Sequence, residues 1–149
     1  FTYIPKTIQY RKTEQEQITL GEKLATKWNG GDIVLLKGDL GAGKTTLAKG
    51  IPLGLGIKKE ITSPTFTLMN VYELDSPVHG IKQFVHVDTY RMDSEEELID
   101  IGLEDYMGDS ETLCLIEWPE KLDVLIKDKK VITLELSHGE NGRVIKETA

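Results

Sequence analysis

The segment Gly38–Thr45 constrains this chain more than any other part of its sequence. It reads Gly-Asp-Leu-Gly-Ala-Gly-Lys-Thr and matches the pattern G-x-x-x-x-G-K-[ST] in full. A continuous apolar run, Ile33–Leu36, comes before it, and a helical pattern follows from about Gly43. Because the motif requires a strand before the loop and a helix after it, this context supports the match. The segment therefore predicts a loop that holds the phosphates of a nucleoside triphosphate.

Each residue type in this loop has a physical task. The glycines allow backbone turns that a side chain would block, so that successive N–H groups face one anion. The start of the helix adds free N–H groups and the positive end of its dipole. Lys44 carries its charge to the β- and γ-phosphates, and Thr45 offers a hydroxyl to magnesium. We therefore expect ATP and Mg²⁺ as ligands, with nucleotide contacts at Asp39, Leu40, Gly41, Ala42, Gly43, Lys44, Thr45 and Thr46.

Two apolar strands that end in an acid are candidates to complete the site. Leu113–Glu117 has the general Walker B layout, and Gln83–Asp88 has the same form. Because the carboxyl ends of strands meet at the phosphate crevice of such sheets, either acid could reach magnesium directly or through water. The alternatives are a surface acid or a helix cap, and for Asp88 a pair with Arg91. The predicted catalytic residues are Lys44, Asp88 and Glu117, with Thr45 and Glu117 as the metal ligands.

Other polar residues carry weaker predictions. Thr65 lies in the loop between the phosphate-loop helix and the next strand, where a switch contacting the γ-phosphate would sit, although an ordinary turn is an alternative. His86 shares a strand face with Phe84, which favours a structural role over a catalytic one. His79 and His138 have no paired Cys or His at ligand spacing, so we infer no zinc site.

The order of elements predicts an α/β fold of the P-loop NTPase type, a mixed sheet flanked by helices in one domain that spans residues 1–149. A helix capped by Thr13 is expected to end at residues 29–31. Pro52 predicts that the phosphate-loop helix ends or kinks near Gly50, because proline lacks the N–H that a helix interior needs. The other expected elements are an extended or irregular lead-in at 1–11, strands at 32–37, 66–74, 83–87 and 113–117, an acidic helix at 94–101, and a hairpin of 131–136 with 143–146.

Composition limits the kind of protein. With 149 residues, 39% apolar and 29% charged, the chain has the balance of an ordinary globular protein. Its single cysteine, Cys114, lies in an apolar run and is predicted to be a buried structural thiol, which fits a reducing, cytoplasmic setting. The apolar runs are too short to cross a membrane, and no signal sequence is evident. The net charge of −7 argues against direct binding of nucleic acid.

Together the motifs resemble the TsaE (YjeE) family, bacterial ATPases that are needed for threonylcarbamoyladenosine modification of tRNA. The resemblance extends from about Thr13 to Arg143. Besides the phosphate loop, it is carried by Thr62–Leu68 (Thr-Ser-Pro-Thr-Phe-Thr-Leu), His86–Arg91 (His-Val-Asp-Thr-Tyr-Arg) and Leu115–Glu120 (Leu-Ile-Glu-Trp-Pro-Glu). The last of these segments and the Ser-Pro-Thr segment are the most specific. Pro52 departs from the family pattern, in which this helix usually runs on with longer side chains.

The resemblance implies roles that spacing does not. Magnesium would be held by Thr45 and Glu117, and Asp88 would act in hydrolysis or in activation by a partner. The remaining implied positions are Thr65 in a switch-like loop, Glu14 and Arg143 close to the nucleotide, and Trp118 either near the site or packed in the core.

The implied function is ATP hydrolysis coupled to the TsaB–TsaD complex, which attaches threonylcarbamoyl to adenosine 37 of ANN-decoding tRNAs. The tRNA would be contacted only indirectly, in keeping with the acidic charge. A P-loop kinase is one alternative, but after the phosphate loop the only arginines are Arg91 and Arg143, too few for an arginine-rich lid. A nucleotide-gated interaction module is a second alternative.

Overall fold

A computed structural model describes residues 6–10, 14–38, 44–58, 69–89, 97, 99, 102–117, 123–139 and 142–148. In chain order these ranges form β1 (Lys6–Tyr10), α1 (Glu14–Ala25), β2 (Ile33–Gly38), α2 (Lys44–Gly54), β3 (Met69–Val78), β4 (Ile81–Asp88), α3 (Leu103–Tyr106), β5 (Thr112–Glu117), α4 (Asp123–Ile126), β6 (Ile132–Gly139) and β7 (Gly142–Thr148). The described strands form one seven-stranded sheet in the order β1-β7-β6-β2-β5-β4-β3.

The sheet has a parallel centre and antiparallel flanks. Strands β4, β5, β2 and β6 are neighbours and run parallel. Strand β3 pairs antiparallel with β4, and β7 lies antiparallel between β6 and β1. The mixed sheet was predicted, and so was the hairpin of β6 and β7. Because the four central strands run in one direction, their carboxyl ends share one edge of the sheet, which we call the carboxyl edge.

Helices cover both faces of the sheet. On one face Leu36 and Leu115 belong to a core that includes Leu47 and Ile51 of α2 and Leu24 of α1. On the other face the alternate residues of the same strands pack into a second core with α3, Met107 and α4, formed by Ile33, Leu35, Val85, Val87, Leu103, Met107, Cys114, Ile116 and Leu125. Since β2 and β5 are buried on both faces, their sequences are apolar without alternation.

Helices α1 and α2 are in backbone contact. A Cβ atom on Gly50 would lie 2.0 Å from the carbonyl oxygen of Ile18, and one on Gly54 would lie 2.5 Å from that of Glu22. Only glycine allows this approach, because any side chain would overlap the opposite backbone. Residue 18 meets residue 50, and residue 22 meets residue 54, so the two helices run in the same direction. Their first turns therefore lie at the same end.

We predicted that α2 ends or kinks near Gly50; its end is not there, because the helix continues through Pro52 to Gly54. Pro52 has no N–H to donate within the helix, but both it and Ile51 are buried. The carbonyl of Pro52 also accepts the N–H groups of Leu55 at 3.1 Å and of Ile57 at 3.0 Å, which close the end of the helix. Burial and these closing bonds offset one missing hydrogen bond near the helix end.

The end of helix α1 also differs from the prediction. Helix α1 ends at Ala25 rather than at residues 29–31, because the Thr26 hydroxyl bonds to the carbonyl of Lys23 at 2.6 Å and the chain turns there. Trp28, which follows the helix, is buried. The lead-in, predicted as irregular or extended, is extended at Lys6–Tyr10, where β1 forms an edge strand by pairing with β7.

Some predicted features lie outside the described residues. They include Thr13, the segment 62–68 and most of the acidic helix, of which Glu97 and Ile99 are described and are helical. Helix α3, by contrast, was not predicted.

Within the described ranges, no helix combines the length and the apolar character needed to cross a membrane.

Candidate functional site

The central strand β2 delivers the chain to the predicted phosphate loop. Its last residue, Gly38, has φ of +153°, a backbone conformation that residues with a Cβ rarely adopt. Helix α2 begins at Lys44, so Lys44 and Thr45 occupy its first turn, where backbone N–H groups have no partner within the helix. The predicted contacts at 39–43, and the side chains of Lys44 and Thr45, lie outside the described part of the structure.

Glu117 is the last residue of β5, the strand next to β2. In the parallel register it lies beside Leu36, two positions before Gly38. Leu113 and Leu115 pack into the core under α1 and α2, and the alternation of side chains along a strand places Glu117 on that same face. Its carboxylate therefore lies at the carboxyl edge on the side of α2, and the residue is only 1% exposed.

Asp88 ends β4 and is paired with Glu117 in the register of the two strands. Alternation from Phe84 through His86 puts Asp88 on the α2 face as well, where it is partly exposed. The structure thus brings Gly38, Asp88 and Glu117 to one edge of the sheet. Sequence reasoning anticipated this meeting of strand ends, and the roles of the two acids remain predictions.

His86 contacts the carboxylate of Glu117. Its Nε2 lies 2.5 Å from Oε2 of Glu117, and both residues are almost completely buried. The imidazole stacks on Phe84, with ring centroids 6.2 Å apart. A buried carboxylate is costly unless a donor satisfies it, and His86 supplies one. The sequence favoured a structural role for His86 and did not show this contact.

Thr89 holds the backbone of Glu117. Its hydroxyl donates to the carbonyl oxygen of Glu117 at 3.0 Å, its own N–H donates to the same oxygen at 3.2 Å, and the residue is fully buried. Sequence reasoning assigned Thr89 no role. The available signal was its place in the segment His86–Arg91, but only the parallel register of β4 and β5 shows what it contacts.

The remaining predicted residues lie at different distances from this edge. Glu14 is the first residue of α1 and is exposed, and the parallel packing of the helices puts it at the same end as the start of α2. Arg143 lies in β7 beside His138 of β6, hence also at the carboxyl edge, but two strands away from β2. The side chain of Arg143 and the positions of Thr65 and Trp118 lie outside the described residues.

Cys114 lies on the opposite face from Glu117 and is fully buried, as predicted. Burial raises the pKa of its thiol from 9.0 to about 12, and the negative charge of Asp109 adds to this. The thiol donates to the carbonyl of Tyr106 over 3.6 Å. A buried thiol with a raised pKa, on the face opposite Glu117, is a poor nucleophile, which agrees with the structural role predicted for Cys114.

The residues at the carboxyl edge fit a magnesium ion that is shared with phosphates. Among the described residues, no three His, Cys, Asp or Glu side chains form a cluster that could hold a metal by themselves. Magnesium bound with nucleotides needs only one or two carboxylates, because phosphate oxygens and water complete its shell. Glu117 can supply such a carboxylate, since its backbone and one oxygen are already held in place.

The sheet order, the glycine at the end of β2 and the helix that follows define an α/β protein with a P-loop type of fold. Residues 11–145 match the family described as "Threonylcarbamoyl adenosine biosynthesis protein TsaE". The chain belongs to the TsaE family, which takes part in tRNA threonylcarbamoyladenosine biosynthesis.

Relatives and a solved structure agree with this membership. The tRNA threonylcarbamoyladenosine biosynthesis protein TsaE of Bacillus subtilis is 34% identical over 145 residues, covering 97% of this chain and 87% of the relative. TsaE of Streptomyces coelicolor is 37% identical over 127 residues, covering 83% and 81%. The crystal structure of YdiB from Bacillus subtilis superposes with a TM-score of 0.71 at 29% identity, covering 99% of this chain and 88% of that one.

Proposed function

We propose that this chain is a magnesium-dependent ATPase that supports threonylcarbamoylation of adenosine 37 in ANN-decoding tRNAs by acting on the TsaB–TsaD complex. The observation that carries the proposal is the position of Glu117. It is a buried carboxylate at the carboxyl end of β5, beside the strand that leads into the phosphate loop. Membership of the TsaE family supports the pathway.

Each part of the proposed site has a distinct task. Backbone N–H groups of residues 39–46 hold the phosphates, and Lys44 neutralises charge on the β- and γ-phosphates. Thr45 and Glu117 hold magnesium, which when bound draws negative charge from the phosphate oxygens. Asp88 lies beside Glu117 in the register and orients the attacking water.

The hydrolysis rate of the isolated chain is expected to be low. The three arginines of the sequence are Arg11, Arg91 and Arg143, and none is within or next to the phosphate loop in the sequence; Arg143, although at the carboxyl edge, lies two strands away from β2. An arginine finger often supplies the charge that stabilises the transition state, with effects of about 10³ to 10⁵ on rate. The partner complex therefore has a contribution to make, either by supplying such a charge or by ordering the site.

An ATPase assay with and without the cognate TsaB–TsaD complex tests the proposal. We expect stimulation of about tenfold or more by the complex. Lys44→Ala should lose hydrolysis in both conditions, whereas Lys49→Ala, which changes an exposed lysine of the same helix, should keep the wild-type rates. Turnover at a rate typical of kinases by the chain alone, unchanged by the complex, would contradict the proposal. Transfer of the γ-phosphate to an acceptor would point to a kinase instead.

Glu117→Gln separates hydrolysis from nucleotide-gated binding. The amide keeps the size of the side chain but removes the charge that magnesium needs, so both hydrolysis and tRNA modification should be lost. Glu135→Gln, an exposed position on β6, is the matched control. If Glu117→Gln abolished hydrolysis while modification continued in full, the chain would act as a nucleotide-gated interaction module.

A further inference from the structure

We propose that His86 is a positioning residue for Glu117: its Nε2–H group holds Oε2 of the carboxylate and thereby directs the other oxygen, Oε1, towards magnesium. This inference rests on the proposed function, because it requires Glu117 to be the metal ligand. It concerns a residue of β4 that sequence patterns alone favoured as structural.

The geometry restricts the carboxylate strongly. Glu117 has three rotatable side-chain bonds, and without a contact its carboxylate would sample several positions. The bond of 2.5 Å from His86 selects one of them, in a setting where both residues are nearly inaccessible to water. The imidazole is itself restrained, because it stacks on Phe84, which in turn stacks on Tyr72.

The hydrogen-bond pattern of the imidazole favours one tautomer. An ionised carboxylate only accepts hydrogen bonds, so the proton of this contact belongs to Nε2 of His86. Nδ1 is buried and has no hydrogen-bond partner among the described residues. A proton on Nδ1 would be a buried donor left unsatisfied, which is costly. His86 is therefore suited to be a fixed donor to Glu117 rather than a group that carries protons to the substrate.

His86 of β4 and Thr89, the residue that follows β4, each form hydrogen bonds with a different part of Glu117. His86 bonds to its carboxylate, and Thr89 bonds twice to its carbonyl oxygen. A ligand oxygen presented at a set position binds metal more tightly than a mobile one. Loss of an outer contact of this kind typically costs about 10- to 100-fold in metal affinity. His86 should therefore affect the affinity for the cation much more than the affinity for the nucleotide itself.

A matched pair of amide variants tests the role of Nε2. In His86→Gln the amide nitrogen lies near the former position of Nε2, whereas in His86→Asn it lies near that of Nδ1 and does not reach Glu117. Both variants lose the imidazole ring, so both lose the stacking on Phe84 equally. The measurements are the affinity for Mn²⁺ in the presence of ADP, from the electron paramagnetic resonance signal of free Mn²⁺, and the affinity for ADP in EDTA.

We expect His86→Asn to weaken Mn²⁺ binding by about tenfold or more and His86→Gln by less than about threefold. Binding of ADP in EDTA should remain at the wild-type level in both. In a Glu117→Gln background, His86→Asn should have no further effect on Mn²⁺. Wild-type Mn²⁺ affinity in folded His86→Asn, or equal losses in the Asn and Gln variants, would contradict the positioning role of His86. Neither result would contradict the proposed function. Undiminished Mn²⁺ binding by Glu117→Gln would contradict the proposed function as well.

The wild-type protein provides a measurement that does not depend on folding of the variants. The Nε2–H resonance of His86 can be followed by nuclear magnetic resonance while Mg²⁺ is added to the complex with ADP. We expect it to shift as the metal binds, because the acceptor carboxylate changes its environment. A resonance that does not move while the metal binds would overturn the proposal.

Discussion

At the scale of single residues, alternation along β5 gives two buried side chains different properties. Cys114 projects into the core with α3, and Glu117 projects to the α2 face. Glu117 has a nitrogen of His86 at 2.5 Å, whereas the Cys114 thiol makes a weak bond of 3.6 Å to the carbonyl of Tyr106. A buried charge needs a strong hydrogen-bond donor. The carboxylate of Glu117 has one in His86, whereas the Cys114 thiol makes only a weak bond among the described residues.

The raised pKa of Cys114 predicts a specific dependence of stability on pH. Above about pH 9 the thiol of the unfolded chain loses its proton, while burial keeps the pKa of the folded thiol at about 12. The unfolded state then binds fewer protons, so the free energy of unfolding decreases as pH rises through this window. The loss due to the thiol approaches about 1.4 kcal/mol per pH unit.

Urea unfolding of the wild type and of Cys114→Ala between about pH 8 and pH 11 measures this effect. Lysines and tyrosines titrate in both proteins, so the difference between the two isolates the thiol. The wild type should lose stability relative to Cys114→Ala as pH rises. Parallel curves for the two proteins would contradict the prediction.

At the scale of elements, the contact between α1 and α2 determines what lies beside the phosphate loop. Glycines at the contact let the backbones approach, and the parallel direction brings the first turn of α1 to the start of α2. The position of Glu14 next to the candidate site therefore depends on Gly50 and Gly54. After α1, Lys27 forms an ion pair of 2.9 Å with Glu147 of β7, which ties this layer to the flank of the sheet.

Gly50→Ala should destabilise the protein although alanine favours helices. The added Cβ would lie 2.0 Å from the carbonyl oxygen of Ile18. Overpacking of this kind costs about 1 to 3 kcal/mol, which exceeds the gain of about 1 kcal/mol in helix propensity. Chemical denaturation measures the difference. Lys49→Ala, an exposed change one position earlier, should stay within about 0.5 kcal/mol of the wild type. A more stable Gly50→Ala protein would show that the helices do not approach in this way.

Elements with a strong local pattern could be predicted, and elements that depend on a distant partner could not. The apolar runs of β2 and β5 predicted both strands to within one residue, because burial on both faces leaves a local trace. Strand β1 was anticipated only as an irregular or extended lead-in, since its pairing with β7 involves residues at the other end of the chain. Pro52 predicted an end or a kink of α2 near Gly50, but the helix does not end there, because burial and its closing bonds offset the local penalty.

At the scale of the whole molecule, binding at the carboxyl edge should stabilise the fold. A ligand that binds only the folded state at 100 times its Kd adds about 2.7 kcal/mol to the free energy of unfolding. We therefore expect the melting temperature to rise with Mg²⁺ and ADP together. The rise should be absent in Lys44→Ala and present in Lys49→Ala. Equal shifts in these two variants would place nucleotide binding elsewhere.

The overall charge predicts weak binding of tRNA by the chain alone. The net charge is −7, and a cleft of about 390 Å³ next to β3 and β4 is lined by Glu73, Asp109 and Glu111, with Lys82 as the one basic residue among the described lining residues. Contacts to phosphates need cationic side chains. Fluorescence anisotropy at physiological salt should give a Kd above about 10 µM, in the weaker part of the range of non-specific binders. Nanomolar binding without TsaB–TsaD would contradict indirect contact with tRNA.

The sequence by itself determined the α/β class and the two acids at strand ends and predicted the phosphate loop, because motifs and apolar runs are local and can be read along the chain. The tertiary structure alone decided that His86 contacts Glu117 across 31 positions, that Thr89 holds the carbonyl of the same residue, and that α1 lies on α2. These contacts depend on the parallel register of β4 with β5 and on the approach of two helix backbones. Both involve residues far apart in the sequence, so packing of the whole chain determines them and no local pattern predicts them.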